Sequence, residues 1–192
     1  MLLLLDQAIV EAVETLIQYK FKDPALLWEA LQTKSAAGTE PDGNKRLAVV
    51  GDSVLSLCLA EDWYRGTTSR SHWNTSFQSG VGSNANLDQR GRALGLERFI
   101  IGGKGGKSVA DTVEAILGAT YLDTGSNLAK CKEVMDALDL LPREQRLERE
   151  LDIEGVVMID PADILPHRPR KRSSPHSWED AERRKRQTQE CL

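Results

Sequence analysis

Three carboxylates stand at positions where residue type and spacing could do chemistry. Asp52 lies inside LAVVGDSVLSLCLA, the least polar stretch of a chain of 192 residues. A carboxylate placed in apolar surroundings is costly unless it is paired or holds a metal. The plain alternative is a position on the solvent face of an amphipathic helix, and this stretch alone leaves both readings open. Asp111 and Glu114 lie in KSVADTVEAILGATYLD. Three residues apart on a helix, they share one face and repel each other. A hard divalent cation reverses the sign of that interaction, because magnesium prefers carboxylate oxygens and water. An ordinary exposed acidic face is the alternative for this pair.

The elements that must carry these residues are all helical. Residues 2–19 place Leu5, Ile9, Ala12, Val13, Leu16 and Ile17 at helical spacing. Asp23 followed by Pro24 is an N-cap and first-turn pair for a helix over 24–34. Residues 36–44 read as a loop rich in Gly and Pro. Residues 45–64 form the most apolar helix, with Leu47, Val50, Val54, Leu57 and Cys58 as its buried stripe. Residues 65–83 read as loop with a short helix. A further helix covers 84–94 and stops at Gly95, and GGKGG at 102–106 is a flexible connection. Helices over 107–123 and 126–140 close the series, separated at Gly125. No run alternates with period two, so the fold class is all-α. Beyond Pro142, a short charged helix over 143–151 is expected, followed by a disordered polar tail from Pro161.

Composition bounds the function. The net charge is −4, which argues against a protein that holds nucleic acid by bulk charge alone. Residues 143–192 hold 11 Lys+Arg and 11 Asp+Glu, so the negative balance belongs to residues 1–142. The tail carries two basic clusters, Arg168, Arg170, Lys171 and Arg172, then Arg183 to Arg186. They suit a plain solvated tail first, with RNA contact and nuclear targeting as alternatives. Cys58, Cys131 and Cys191 show no metal-binding spacing, which fits a reducing, intracellular compartment, nucleus or cytoplasm alike. The opening MLLLLD is too short for a signal peptide or membrane span. GGKGGKS fails as a P-loop, because the first glycine of that motif falls on Ile101.

The segments combine into a family pattern. NKRLAVVGDSVLSL resembles the ribonuclease III signature N-E-x-L-E-F-L-G-D-[AS]-V-L. GSNANLDQRGRALGLERFI is similar to the helix that follows it there. KSVADTVEAILGATYLDTG resembles the second acidic motif, K-x-x-A-D-x-x-E-A-x-x-G-A-x-Y-L-D. Upstream, YKFKDPALLWEALQTKS resembles the family's opening Y-x-F-x-D-P-x-L-L-x-x-A-L-T-H-x-S. The four matches occur in family order over residues 19–125.

The resemblance implies a helical endonuclease domain over residues 1–142 that pairs with a second copy. It implies magnesium, with manganese as a substitute, and cleavage of double-stranded RNA to 5′-phosphate products in RNA processing. By position, Asp52 is the signature aspartate, Glu114 the principal metal ligand, and Asp111 its companion. These three are the expected catalytic and metal-binding residues. Lys107 matches the motif lysine, either approaching a phosphate or offsetting local charge. The pattern breaks at Ala48, where the family places an acid one turn before Asp52, and at Lys45, where the signature has another acid. Magnesium usually keeps several waters, so a water can fill the vacant position. Alternatively the site is silent and the domain is an RNA-binding or ribosome-associated scaffold, or it pairs with a different, active subunit. The GGKGG connection is shorter than the family usually has, and residues 143–192 are too short and polar to form a double-stranded-RNA-binding domain.

Overall fold

The computed structural model describes residues 4–36, 42–65, 69–74, 80–103 and 105–141. The expected helix over 143–151, the tail and its basic clusters lie outside the described residues. Those residues form helices α1 (Leu4–Ile17), α2 (Pro24–Ala30), α3 (Lys45–Arg65), α4 (Arg70–His72), α5 (Asn84–Ala93), α6 (Ser108–Asp123) and α7 (Leu128–Ala137), with a 3₁₀ turn over Leu96–Phe99. The all-α expectation holds. The one β feature among them is an isolated parallel bridge between Gln32 and Ile101.

Local chemistry sets the boundaries. The Asp23 side chain accepts from the Ala25 N–H, and Pro24 opens α2 with φ already helical. Ser83 caps α5 by accepting from Asn86, and Asn127 caps α7 by accepting from Lys130. Gly95 ends the α5 segment in the left-handed region at φ 72°. Helix α2 stops at Ala30, four residues before the expected end. The Thr33 N–H is taken by the Ile101 carbonyl at 2.9 Å, and the Leu31 carbonyl accepts from Ile101 at 2.9 Å, so the chain leaves the helix to join the bridge.

Helix α6 is the axis of the core. Residues Ser108, Val109, Ala110, Thr112, Val113 and then Ala115 through Thr120 are all buried, and only Asp111, Glu114 and the last turn keep a face outside the core. It packs against α2, α3, α5 and α7. From α1, Val10, Val13 and Ile17 join the same cluster as Leu27, Leu55, Leu59, Ile116, Leu117 and Met135. The buried stripe of α3 differs from the expected one. Leu47, Ala48, Gly51, Val54, Leu55, Cys58 and Leu59 face inward, while Val50 is half-buried and Leu57 is 51% exposed. The small residues Ala48 and Gly51, which the apolar count passed over, mark the real contact face.

Candidate active site

The crossing of α3 and α6 builds the site. A Cβ on Gly118 would lie 2.2 Å from the Leu47 carbonyl oxygen. The two helix backbones therefore touch with no side chain between them. Asp52 follows Gly51 directly; it is exposed, on the solvent face of α3 rather than among its apolar residues, and lines the same cleft as Glu114. Asn44 fixes the start of α3. It is 1% exposed, and its Nδ2 donates to the Ala30 carbonyl at 2.9 Å and to Thr112 Oγ1 at 3.2 Å. One amide thus ties the end of α2, the start of α3 and the first turns of α6. Nothing in composition or periodicity marked Asn44 or Gly118; only their places in the two motifs did.

Asp52, Asp111, Glu114, Lys107, Ala48 and Lys45 all line one cleft of about 500 Å³. The structure therefore brings together every residue the motifs singled out. The Glu114 carboxyl is pushed up to about 7, first by burial and then by the negative charges of Asp52 and Asp111, with Lys45 and Lys107 partly offsetting them. Burial and like charge together mark this cleft as short of positive charge. Lys45 occupies part of that deficit through an ion pair of its Nζ with Asp111 Oδ2. Ala48 is 4% exposed and offers no donor atom.

The donor set suits a hard divalent cation, since carboxylate oxygens are what such ions take. Among the described residues, no three His, Cys, Asp or Glu side chains close on a single point able to hold a metal. The three carboxylates share the cleft and feel one another, but Lys45 holds Asp111 to itself. Cys58 and Cys131 are buried away from this chemistry, and burial, with Cys58 beside it, pushes the Cys131 thiol up to about 12.

A family described as Ribonuclease-III-like matches residues 23–138, the span that holds α2 through α7 and every carboxylate of the cleft. The chain belongs to the ribonuclease III family. Ribonuclease 3 of Oleidesulfovibrio alaskensis is 34% identical over 128 residues, covering 60% of this chain and 56% of that protein. Ribonuclease 3 of Symbiobacterium thermophilum is 32% identical over 153 residues, covering 74% and 62%. The solved nuclease domain of ribonuclease III from Campylobacter jejuni superposes with TM-score 0.59 at 26% identity, covering 68% of this chain and 96% of that one. That domain is described as flexible in a region involved in dimer formation. The chain spans little more than half the length of these bacterial Ribonuclease 3 relatives. Among the described residues, no helix is long and apolar enough to cross a membrane.

Proposed function

We propose that the chain is a metal-dependent endoribonuclease of the ribonuclease III type, cutting double-stranded RNA to 5′-phosphate products in RNA processing and working as a homodimer. The observation that carries this reading is the single cleft lined by Asp52, Asp111 and Glu114, with the Glu114 carboxyl held up by burial and by its acidic neighbours. Magnesium, or manganese in its place, bound there would supply a Lewis acid and a water activated near neutral pH. The chain's own part is to hold carboxylates on two packed helices, which fix them more tightly than loops do. Lys107 lines the same cleft; in this reading it meets a phosphate oxygen or offsets the acids. Lys45 engages only Oδ2 of Asp111, so that carboxylate would join a metal through Oδ1 or after Lys45 moves aside.

Pairing has its own support. Val49, Leu57 and Tyr64 are 71%, 51% and 82% exposed and fall on one side of α3, and Val49 also lines the cleft. An apolar stripe continuous with the site suits a second copy of the same surface.

The test is cleavage of a long RNA duplex by the purified chain, with magnesium compared against manganese. Cleavage with either metal, abolished by Glu114→Gln, supports the reading; a folded dimer that cuts with neither metal rejects it. A silent scaffold is favoured by two observations, the apolar Ala48 and the Lys45–Asp111 ion pair. Ala48→Glu separates the two readings. A strong gain of cleavage means that the remaining site is competent, and no gain favours the scaffold.

A further inference from the structure

A second cavity, of about 570 Å³, adjoins the carboxylate cleft and shares Lys45, Lys107 and Asp111 with it. It lies where the glycine-rich connection enters α6. Three features of its wall point to an anion. Helix α6 is 16 residues long and starts here, and its N-cap residue, Lys107, makes no side-chain capping hydrogen bond. The first N–H groups of such a helix have no intrahelical acceptor and carry the positive end of the helix dipole. Ser108 lines the cavity and is only 7% exposed, yet its hydroxyl has no hydrogen-bond partner among the described residues. A buried hydroxyl without a partner carries its full desolvation cost until a ligand satisfies it. Finally, Lys34, Lys45 and Lys107 line the cavity with Asp111, the one acid of its wall among the described residues; Lys45 pairs with Asp111, Lys34 pairs with Asp42, and Lys107 also acts on Glu114.

We infer that this cavity is a phosphate-binding subsite. The Ser108 N–H already donates to the Gly105 carbonyl at 3.3 Å, so the Ser108 hydroxyl and the N–H groups of Val109 and Ala110 hold the oxygens of one phosphate group, and Lys34 and Lys107 supply the charge. GGKGGKS lacks the P-loop spacing, but a glycine loop feeding a helix start is an anion cradle on physical grounds alone. Two sources of phosphate share this chemistry, an RNA backbone and the free ion. The first rests on the proposed RNA substrate and would seat a phosphate beside the one that is cut. Lys34 pairs with Asp42 on an exposed face, so it can exchange that partner at little cost.

Amide NMR of the isotope-labelled full chain, titrated with inorganic phosphate against potassium chloride at matched ionic strength, tests the site. Phosphate is expected to shift the amides of Ser108, Val109 and Ala110 in a saturable way. Ser108→Ala, which breaks no hydrogen bond, is expected to weaken that response roughly tenfold. No response beyond that to chloride, or an unchanged response in a folded Ser108→Ala chain, overturns the subsite. A second arm adds a short RNA duplex without divalent metal. Displacement of phosphate by the duplex, with Lys34→Gln lowering the slope of log K against log salt by about 1, assigns the subsite to the RNA backbone. A phosphate response that persists with duplex bound overturns that assignment and leaves the free ion as ligand. A duplex that does not bind the wild-type chain at all counts against the nuclease reading, while the phosphate titration still decides the subsite.

Discussion

A Cβ atom on Gly51 would lie 1.7 Å from the carbonyl oxygen of Glu114. The backbone that carries one proposed metal ligand thus rests directly on the residue beside another. Gly51→Ala must push α3 and α6 apart, because the obstacle is backbone and cannot rotate away. Overpacking of this kind costs about 1–3 kcal/mol or more, and the displacement moves Asp52 away from Glu114. Denaturant unfolding is expected to show the loss of stability. Duplex cleavage is expected to fall further than the unfolded fraction alone explains. A variant as stable and active as the parent would show that the helices are not in contact there.

The pH dependence of Glu114 has a definite sign. Its carboxyl moves from an ordinary 4.5 up to about 7 on folding, by burial and then by Asp52 and Asp111. The stabilisation from its protonated form is complete below the unfolded value and is lost as pH rises through about 7. Without divalent metal, Glu114→Gln is therefore expected to be more stable than the parent at pH 8, by on the order of 1–3 kcal/mol after allowing for solvent screening. At pH 4 the two should be nearly equal. Thermal melts in chelator at both pH values check this. Equal gains at both would assign the effect to something other than ionisation.

The exposed stripe of α3 gives a direct test of pairing. Leu57→Glu puts a charge at the centre of Val49, Leu57 and Tyr64 without touching the core. Desolvating an unpaired carboxylate in an interface is expensive. The variant is expected to sediment as a monomer at concentrations where the parent is a dimer, with its melting temperature otherwise close to the parent's monomer. A dimer unaffected by this change places the interface elsewhere.

The far end of α6 has its own anchor. The Tyr19 hydroxyl donates to Asp123 Oδ2 at 2.6 Å, and the N–H groups of Lys22 and Asp23 donate to the same carboxylate at 3.0 and 2.8 Å. Burial opposes the charge, but these three donors outweigh it and hold the Asp123 carboxyl below its usual range. The stability it contributes is present above the unfolded value and lost as pH falls through the folded one. Asp123→Asn is expected to cost about 1–2 kcal/mol at neutral pH, and the gap should close in acid. Urea unfolding at neutral and strongly acidic pH measures it. A constant difference would mean that charge plays no part.

The helices were legible because their caps and turns use side chains with strong local preferences. Asp23 and Gly95, the two boundary residues singled out in the sequence, each stand within a residue of a real boundary, whereas the caps Ser83 and Asn127 were read as loop and as helix interior. The end of α2 was not legible, because the Gln32–Ile101 bridge is a contact across 69 positions that no local preference encodes. Periodicity also misplaced Leu57. It treats large apolar residues as buried, whereas the α3 contact face is built from Ala48 and Gly51 so that two backbones can approach. For the site, the motifs named Asp52, Asp111, Glu114, Lys107 and Ala48, and all five reach one cleft. Sequence noted a cation at Lys45, but only side-chain geometry shows that it settles on Asp111. The role of Asn44 was invisible for the same reason, since its partners belong to α2 and α6.

Helix α6 is fastened near both ends, by Asn44 on Thr112 and by Tyr19 on Asp123, and is enclosed between them. Its amides from Thr112 to Asp123 are therefore expected to exchange with solvent only when the whole domain opens, as the slowest set in the protein. Glu114, which lies between the two anchors, cannot be lost by partial fraying. Any condition that dissolves the site must first dissolve the fold, so loss of function on heating should track global melting.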